Sequence, residues 1–201
     1  MKVEQIYTSC LSQGAYFIES NGEAAVIDPL REISDYIKLA EHSNSKIKYV
    51  FETHFHADFI SGHLTLANKT GAKIVYGPQA NPNFESIIAK DNQVFKIGDV
   101  TITAIHTPGH TLESTSYILK DENGKEHCIF TGDTLFLGDV GIPDVAQRYM
   151  GVSKEELASI LYESVNNRIK PLPNDILVYP GHGAGSACGK NMMKETVDTL
   201  E

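Results

Sequence analysis

Basic residues are in short supply in this chain. Among 201 residues there are 17 Lys and Arg against 26 Asp and Glu, a formal net charge of -9. That deficit excludes the basic stripe needed to neutralise a phosphate backbone, so nucleic acid is not an expected partner. Long apolar runs are missing too. No stretch approaches the roughly 18 apolar residues of a membrane span, and Met1 to Cys10 lacks the apolar run of an export signal. The expectation is a soluble, cytoplasmic chain without membrane contact. Cysteine is scarce: Cys10, Cys128 and Cys188 are odd in number and lack paired spacing. A disulfide framework and a zinc knuckle are thereby excluded, and a reducing compartment suits the chain. Nor does any low-complexity segment or linker interrupt it. With 41% hydrophobic residues, one compact domain over residues 1–201 is expected.

What is present is a repeated strand-to-loop scheme. Val3–Tyr7, Ala15–Ile18 and Ala24–Ile27 read as strands of a β-meander, separated by the turn residues Gln13-Gly14 and Asn21-Gly22. Ile33, Tyr36, Ile37 and Ala40 have the spacing of an amphipathic helix, and Ile60 to Thr70 reads as a second helix stopped by Gly71. Between them, Lys48–Thr53 is a short strand running into polar residues. Val100–Ile105 alternates as a strand, and Asn123-Gly124 marks a hairpin between Ser116–Leu119 and His127–Phe130. Ser153 and Glu156 form a capping box before the apolar face Leu157, Ile160, Leu161 and Val165. Ile176–Tyr179 is a last strand. Two strand-rich halves, each ending in a helix, imply a pseudo-symmetric sandwich.

The chemistry-bearing residues fall after those strands. His54, His56 and Asp58 alternate in Thr53-His-Phe-His-Ala-Asp58, so an extended backbone points all three to one side. His110 follows Pro108-Gly109, Asp133 follows Thr131-Gly132, and His182 follows Pro180-Gly181. Four strand ends thus offer imidazole or carboxylate, with small residues that let backbones approach one centre. A metal site is the reading.

These motifs resemble the metallo-β-lactamase superfamily across nearly the whole chain. The resemblance implies an α/β (α+β) αββα sandwich, two facing mixed β-sheets with helices outside and metal at one edge. Hydrolases of that superfamily usually carry His directly after the motif's Asp, where this chain has Phe59, so a second ion loses a ligand. The wording Glu52-Thr-His-Phe-His-Ala-Asp-Phe-Ile-Ser-Gly62, Gly132-Asp-Thr-Leu-Phe136 and Gly181-His-Gly-Ala-Gly-Ser-Ala-Cys-Gly-Lys190 looks like persulfide dioxygenases, also called sulfur dioxygenases, of the branch often fused to rhodanese domains.

That resemblance implies one Fe(II) held by His54, His110 and Asp133, with zinc as an alternative or substituting metal. Three open positions would admit a low-molecular-weight persulfide and dioxygen, yielding sulfite and thiol. His56 and Asp58 would hydrogen-bond ligands or waters, and His182 would either direct substrate or order its loop. Cys188 lies on a glycine-rich stretch able to bring a thiol near the metal, with inert packing as the plain alternative. His42, His63, His106 and His127 are assigned no chemistry.

Two other functions stand beside the oxygenase. One is a zinc-dependent thioesterase-type hydrolase similar to glyoxalase II; the other is a non-catalytic metal-binding or sulfur-transfer module. Ile142 occupies a position where relatives commonly have Arg, which leaves the substrate's thiol open. Asn191 to Glu201 begins a helical pattern without a capping Gly or Pro, so a truncated C-terminal helical region is expected. A rhodanese partner or fused domain and a homo-oligomer remain open.

Overall fold

The structure, a computed structural model, describes residues 1–144 and 151–201. Its elements in the first half are β1 (Lys2–Thr8), β2 (Gln13–Ser20), β3 (Glu23–Ile27), α1 (Ser34–His42), β4 (Lys46–Phe51), α2 (His63–Thr70), β5 (Lys73–Tyr76) and β6 (Ile87–Ile88). The second half contains β7 (Val94–Ile97), β8 (Val100–His106), β9 (Thr115–Lys120), β10 (Glu126–Gly132), α3 (Lys154–Ser164), β11 (Leu177–Pro180) and β12 (Asp198–Thr199). A single π-helical turn, Val165–Ile169, extends α3.

Local chemistry accounts for the first sheet's opening. Asn21 and Gly22 have φ of 46° and 78°, the two left-handed residues of a type I′ turn, which twists with the β2–β3 ladder. The chain then reverses its habit. Asp28-Pro29 ends β3, α1 carries it back, and β4 pairs parallel to β3, as do β5 to β4 and β6 to β5. The first sheet is therefore mixed, in the order β1-β2-β3-β4-β5-β6. The second runs β12-β11-β10-β9-β8-β7, antiparallel except where β11 lies parallel to β10.

Both faces of each sheet are covered, which explains why every residue of β2 except Glu19 is buried. Tyr16 and Ile18 point between the sheets with Phe51, Val75, Phe95, Ile102, Tyr117 and Phe130. Their neighbours Ala15 and Phe17 pack outward with Tyr36 and Ala40 of α1 and Leu66 of α2. On the far side, Ile118, Ile129 and Val178 meet Ile169 and Leu137. Two facing mixed sheets with helices outside are the expected four-layer sandwich.

The capping box holds as expected: Ser153 Oγ accepts from Glu156 N, and the Glu156 carboxylate accepts from Ser153 N. The expected C-terminal helix does not form. Asp198–Thr199 pairs antiparallel with Leu177–Val178, and Leu200 N donates to Ile176 O. Free edge groups of β11 and the apolar cluster under Leu200 outweigh a weak helical pattern that lacks a cap. Strands β5, β6, β7 and β12 were not expected, because four residues or fewer hold too little alternation to read.

Parallel pairing places the loops that matter at one edge. β3 and β4 both end there, delivering Asp28 beside Thr53. β10 and β11 do the same for Asp133 and His182. Ser164 Oγ at the end of α3 donates to Pro108 O at 2.7 Å and fixes the loop that carries His110.

Candidate metal centre

Three of the expected residues meet. His54, His110 and Asp133 are buried, and their ligating atoms lie within 4.8 Å of one another. Asp133 Oδ2 is 3.9 Å from His54 Nε2 and 3.6 Å from His110 Nε2. Ligand atoms of a tetrahedral ion with bonds of about 2.0–2.2 Å lie roughly 3.3–3.6 Å apart, so both carboxylate–imidazole distances are within tenths of an ångström of that spacing.

Hydrogen bonding fixes which nitrogens face the centre. Thr53 Oγ1 lies 2.7 Å from Asp28 Oδ2 and 2.9 Å from His54 Nδ1. The hydroxyl has one proton, and the carboxylate can only accept it. Thr53 Oγ1 must therefore accept from His54 Nδ1–H, which leaves Nε2 with a bare lone pair. His110 Nδ1 lies 2.8 Å from the Ile142 carbonyl, again an acceptor only, so its Nε2 is bare as well. Asp133 Oδ2 is buried without a hydrogen bond. Two lone pairs and an orphaned carboxylate oxygen converge, a donor set that suits a divalent cation. Burial, with the neighbouring His56 charge, pushes the His54 imidazole well below its ordinary range and keeps it neutral.

The other members of the motif go elsewhere. The strand ends at Phe51 and residues 53–54 and 57–59 bend, so the expected one-sided alternation of His54, His56 and Asp58 fails. His56 Nε2 turns away to Asp28 Oδ1 at 3.1 Å and Glu52 Oε2 at 3.4 Å. Phe59 packs against its ring, tilted by 31° with 4.3 Å between centroids. Burial opposes a charge on His56, but Asp28 and Glu52 outweigh it and raise the imidazole well above its usual value. Burial raises Glu52 to about 7.

His182 sits between two carboxylates, its Nδ1 2.8 Å from Asp133 Oδ1 and its Nε2 2.8 Å from Asp58 Oδ2. Burial alone would lower it, yet the carboxylates raise it to about 9. Asp133 feels the reverse: burial opposes ionisation, and the His182 charge and hydrogen bond hold its carboxyl far below the usual range. Gly181 is required for this approach, because a Cβ there would stand 2.6 Å from Asp133 Oδ1. Cys188 reaches the same corner, its thiol clustered with Asp58 and His182. Burial, then the Asp133 charge, pushes that thiol up to about 12.

Several participants escaped the sequence reading. Asp28 and Thr53 support His54 from behind, and Glu52 stands beside His56, with Ser61 Oγ donating to Glu52 Oε1 at 2.6 Å. A carboxylate directly after a buried strand, as in Val26-Ile-Asp28, was the available signal. His63, assigned no chemistry, lies 3.6 Å from Glu52. Lys154 and Lys190 line a cavity of about 480 Å³ with Ile142 and Pro143. Asp144 and Glu155 line the same cavity, and Lys154 lies 3.9 Å from Glu155, so the cavity's charges balance.

Fold and site define a class: a four-layer sandwich with a buried two-imidazole, one-carboxylate centre at one edge. The family model described as "Metallo-beta-lactamase superfamily" matches residues 10–182. This chain belongs to that superfamily. Among solved structures it is similar to a metallo-beta-lactamase from Staphylococcus aureus, with TM-score 0.89, 35% identity, and coverage of 99% of this chain and 60% of the other. It is also similar to ETHE1 from Myxococcus xanthus, with TM-score 0.82, 28% identity, and coverage of 100% and 80%. Curated relatives include a probable hydroxyacylglutathione hydrolase of Schizosaccharomyces pombe, 30% identical over 91% of this chain and 69% of the relative. The hydroxyacylglutathione hydrolase of Dictyostelium discoideum is 35% identical over 82% and 59%. The chain thus spans between about three-fifths and about seven-tenths of these two relatives' length.

These relatives correct the expected activity. An iron persulfide dioxygenase, an oxidoreductase, was anticipated, whereas curated relatives at 30–35% identity are named as hydrolases. The physical reason lies in the donor set: two imidazoles and a carboxylate serve a Lewis-acidic ion as well as a redox one, and do not choose between them. Phe59 removes one ligand of a second ion and says nothing about which bond is broken. Among the described residues, no helix is long and apolar enough to cross a membrane.

Proposed function

We propose that this chain is a metal-dependent hydrolase that cleaves the acyl–sulfur bond of a thioester, with hydroxyacylglutathione as the first substrate class to test. His54, His110 and Asp133 would hold a divalent ion, zinc first, through His54 Nε2, His110 Nε2 and Asp133 Oδ2. The carrying observation is the pair of back-side hydrogen bonds that leave both Nε2 lone pairs bare beside the orphaned carboxylate oxygen. The names and identities of the curated relatives support the hydrolytic reading.

A divalent ion in such a site supplies Lewis acidity, polarising a carbonyl and making water a stronger acid. This chain's own groups do the rest. Burial opposes ionisation of Asp58, but the His182 hydrogen bond and charge lower its carboxyl below the usual value, and, partly open to solvent, it accepts the proton of the attacking water. His182 is a positioning residue that holds Asp58 and Asp133 at a fixed separation. Water adds across the thioester, the carbon–sulfur bond breaks, and the leaving sulfur takes the proton to give acid and thiol.

The test is thiol release from a hydroxyacylglutathione by the zinc-loaded chain. Release is expected, and His110→Ala should abolish both metal retention and turnover. Metal-loaded protein that leaves the thioester intact, or consumes oxygen with a persulfide instead, would overturn the reading.

A further inference from the structure

The wall behind His110 is a short segment held from outside the centre. The Ile142 carbonyl accepts the His110 Nδ1–H at 2.8 Å, and the chain reaches it from Gly138 through Gly141. Packing along this segment is as close as a backbone permits. A Cβ at Gly141 would stand 2.9 Å from His110 Nδ1 and would overlap the Asp133 carbonyl oxygen. Residues 138–142 therefore cannot shift without disturbing one ligand or both.

A carboxylate remote from the ligands ties this segment down. Asp139 Oδ2 accepts from the backbone N–H groups of Lys190 and Asn191, both at 2.7 Å, and Oδ1 accepts from Val140 N at 2.8 Å. Neutral backbone bonds continue the seam on either side, from Met193 N to Leu137 O at 2.9 Å and from Ile142 N to Cys188 O at 3.0 Å. Asp139 thus supplies the charge-assisted bonds between the two segments, the stronger kind. Among the described residues, its side chain bonds only to backbone N–H groups and to no ligand residue.

We propose that Asp139 is a positioning residue of the metal centre. Its carboxylate holds the 188–191 backbone, the Cys188 carbonyl holds Ile142 N, and the Ile142 carbonyl keeps the proton of His110 on Nδ1. The lone pair on His110 Nε2 is thereby bared by a side chain that touches neither the imidazole nor the ion. The proposal rests on His54, His110 and Asp133 forming a metal site and is independent of which bond that site breaks.

The experiment is competitive zinc titration of the whole chain, together with the d–d absorption of its cobalt(II)-loaded form. Asp139→Ala should bind zinc about tenfold more weakly, the lower end of the range for groups behind a ligand, and its cobalt absorption should shift as the His110 bond changes direction. Asp139→Asn keeps one oxygen for the two N–H groups and should fall between, and it carries the test where the alanine variant does not fold. Asp121 clamps the β9–β10 hairpin in the same manner, accepting from Asn123 N and Lys125 N at 2.9 Å. Asp121→Ala should therefore keep the wild-type affinity and absorption. Wild-type affinity and absorption in the Asp139 variants, or equal weakening in Asp121→Ala, overturns the proposal alone. A wild-type chain that binds no metal removes the centre and the hydrolase reading together with it, whereas zinc binding without thioester cleavage removes only the latter.

Discussion

Thr53→Val is the most direct perturbation of the way this centre is held. The change is nearly isosteric and removes one hydroxyl, which donates to Asp28 Oδ2 at 2.7 Å and accepts from His54 Nδ1 at 2.9 Å. Asp28 keeps the Thr53 backbone N–H on Oδ1, so the carboxylate is weakened but not stranded. Two buried polar groups lose a partner, at about 1–3 kcal/mol each, so the metal-free protein should lose about 3 kcal/mol. A second effect should appear in metal affinity. Without its acceptor, His54 Nδ1–H no longer fixes the tautomer that bares Nε2, and affinity should fall about 10–100-fold. Thr53→Ser keeps the hydroxyl and should retain affinity while losing some packing. Urea denaturation of the metal-free forms and competitive zinc titration against a chromophoric chelator separate the two effects. Unchanged zinc affinity in Thr53→Val, alongside reduced stability, would refute the tautomer argument.

Gly181→Ala should displace the Asp133 carboxylate, since its Cβ would stand 2.6 Å from Oδ1, and weaken zinc binding at least roughly tenfold by the same titration. Zinc at about a hundredfold over its Kd should stabilise the chain by about 2.7 kcal/mol, and thermal melting should show a chelator reversing a rise of roughly 5–10 °C. Glu23 ties the sheets together: the Gly98 N–H, then Lys48, lowers its carboxyl below the ordinary 4.5. Its stabilisation is present above that value and lost as pH falls through the lowered one. Glu23→Gln should therefore cost under about 1 kcal/mol at neutral pH, for an exposed pair, with the gap to wild type closing in acid. A gap that persists at pH 2 would contradict the assignment.

Much of the frame was readable before any coordinates. The β1–β2–β3 meander, α1, α2, the β9–β10 hairpin and the capped start of α3 each follow from local periodicity and turn chemistry. The short strands did not, because β5 and β7 become strands only by pairing with neighbours already in place. The C-terminal segment went the other way: a weak helical pattern yielded to the free edge of β11. In the site, the small residues before His110, Asp133 and His182 gave the convergence away. Asp28, Glu52 and Thr53 remained hidden, since a carboxylate after a strand or a threonine beside a histidine carries no pattern of its own.

Composition and motif order alone determined the family of sandwich and the three residues that could hold an ion. Those depend on residue identity and on what lies next along the chain. Only the folded structure decided that His56 turns to Asp28 and Glu52, that His182 is clamped between Asp58 and Asp133, and that Cys188 joins them. Those choices depend on which groups remain unpaired once distant loops meet in a buried place, where every polar atom without a partner carries a cost that a linear sequence cannot display.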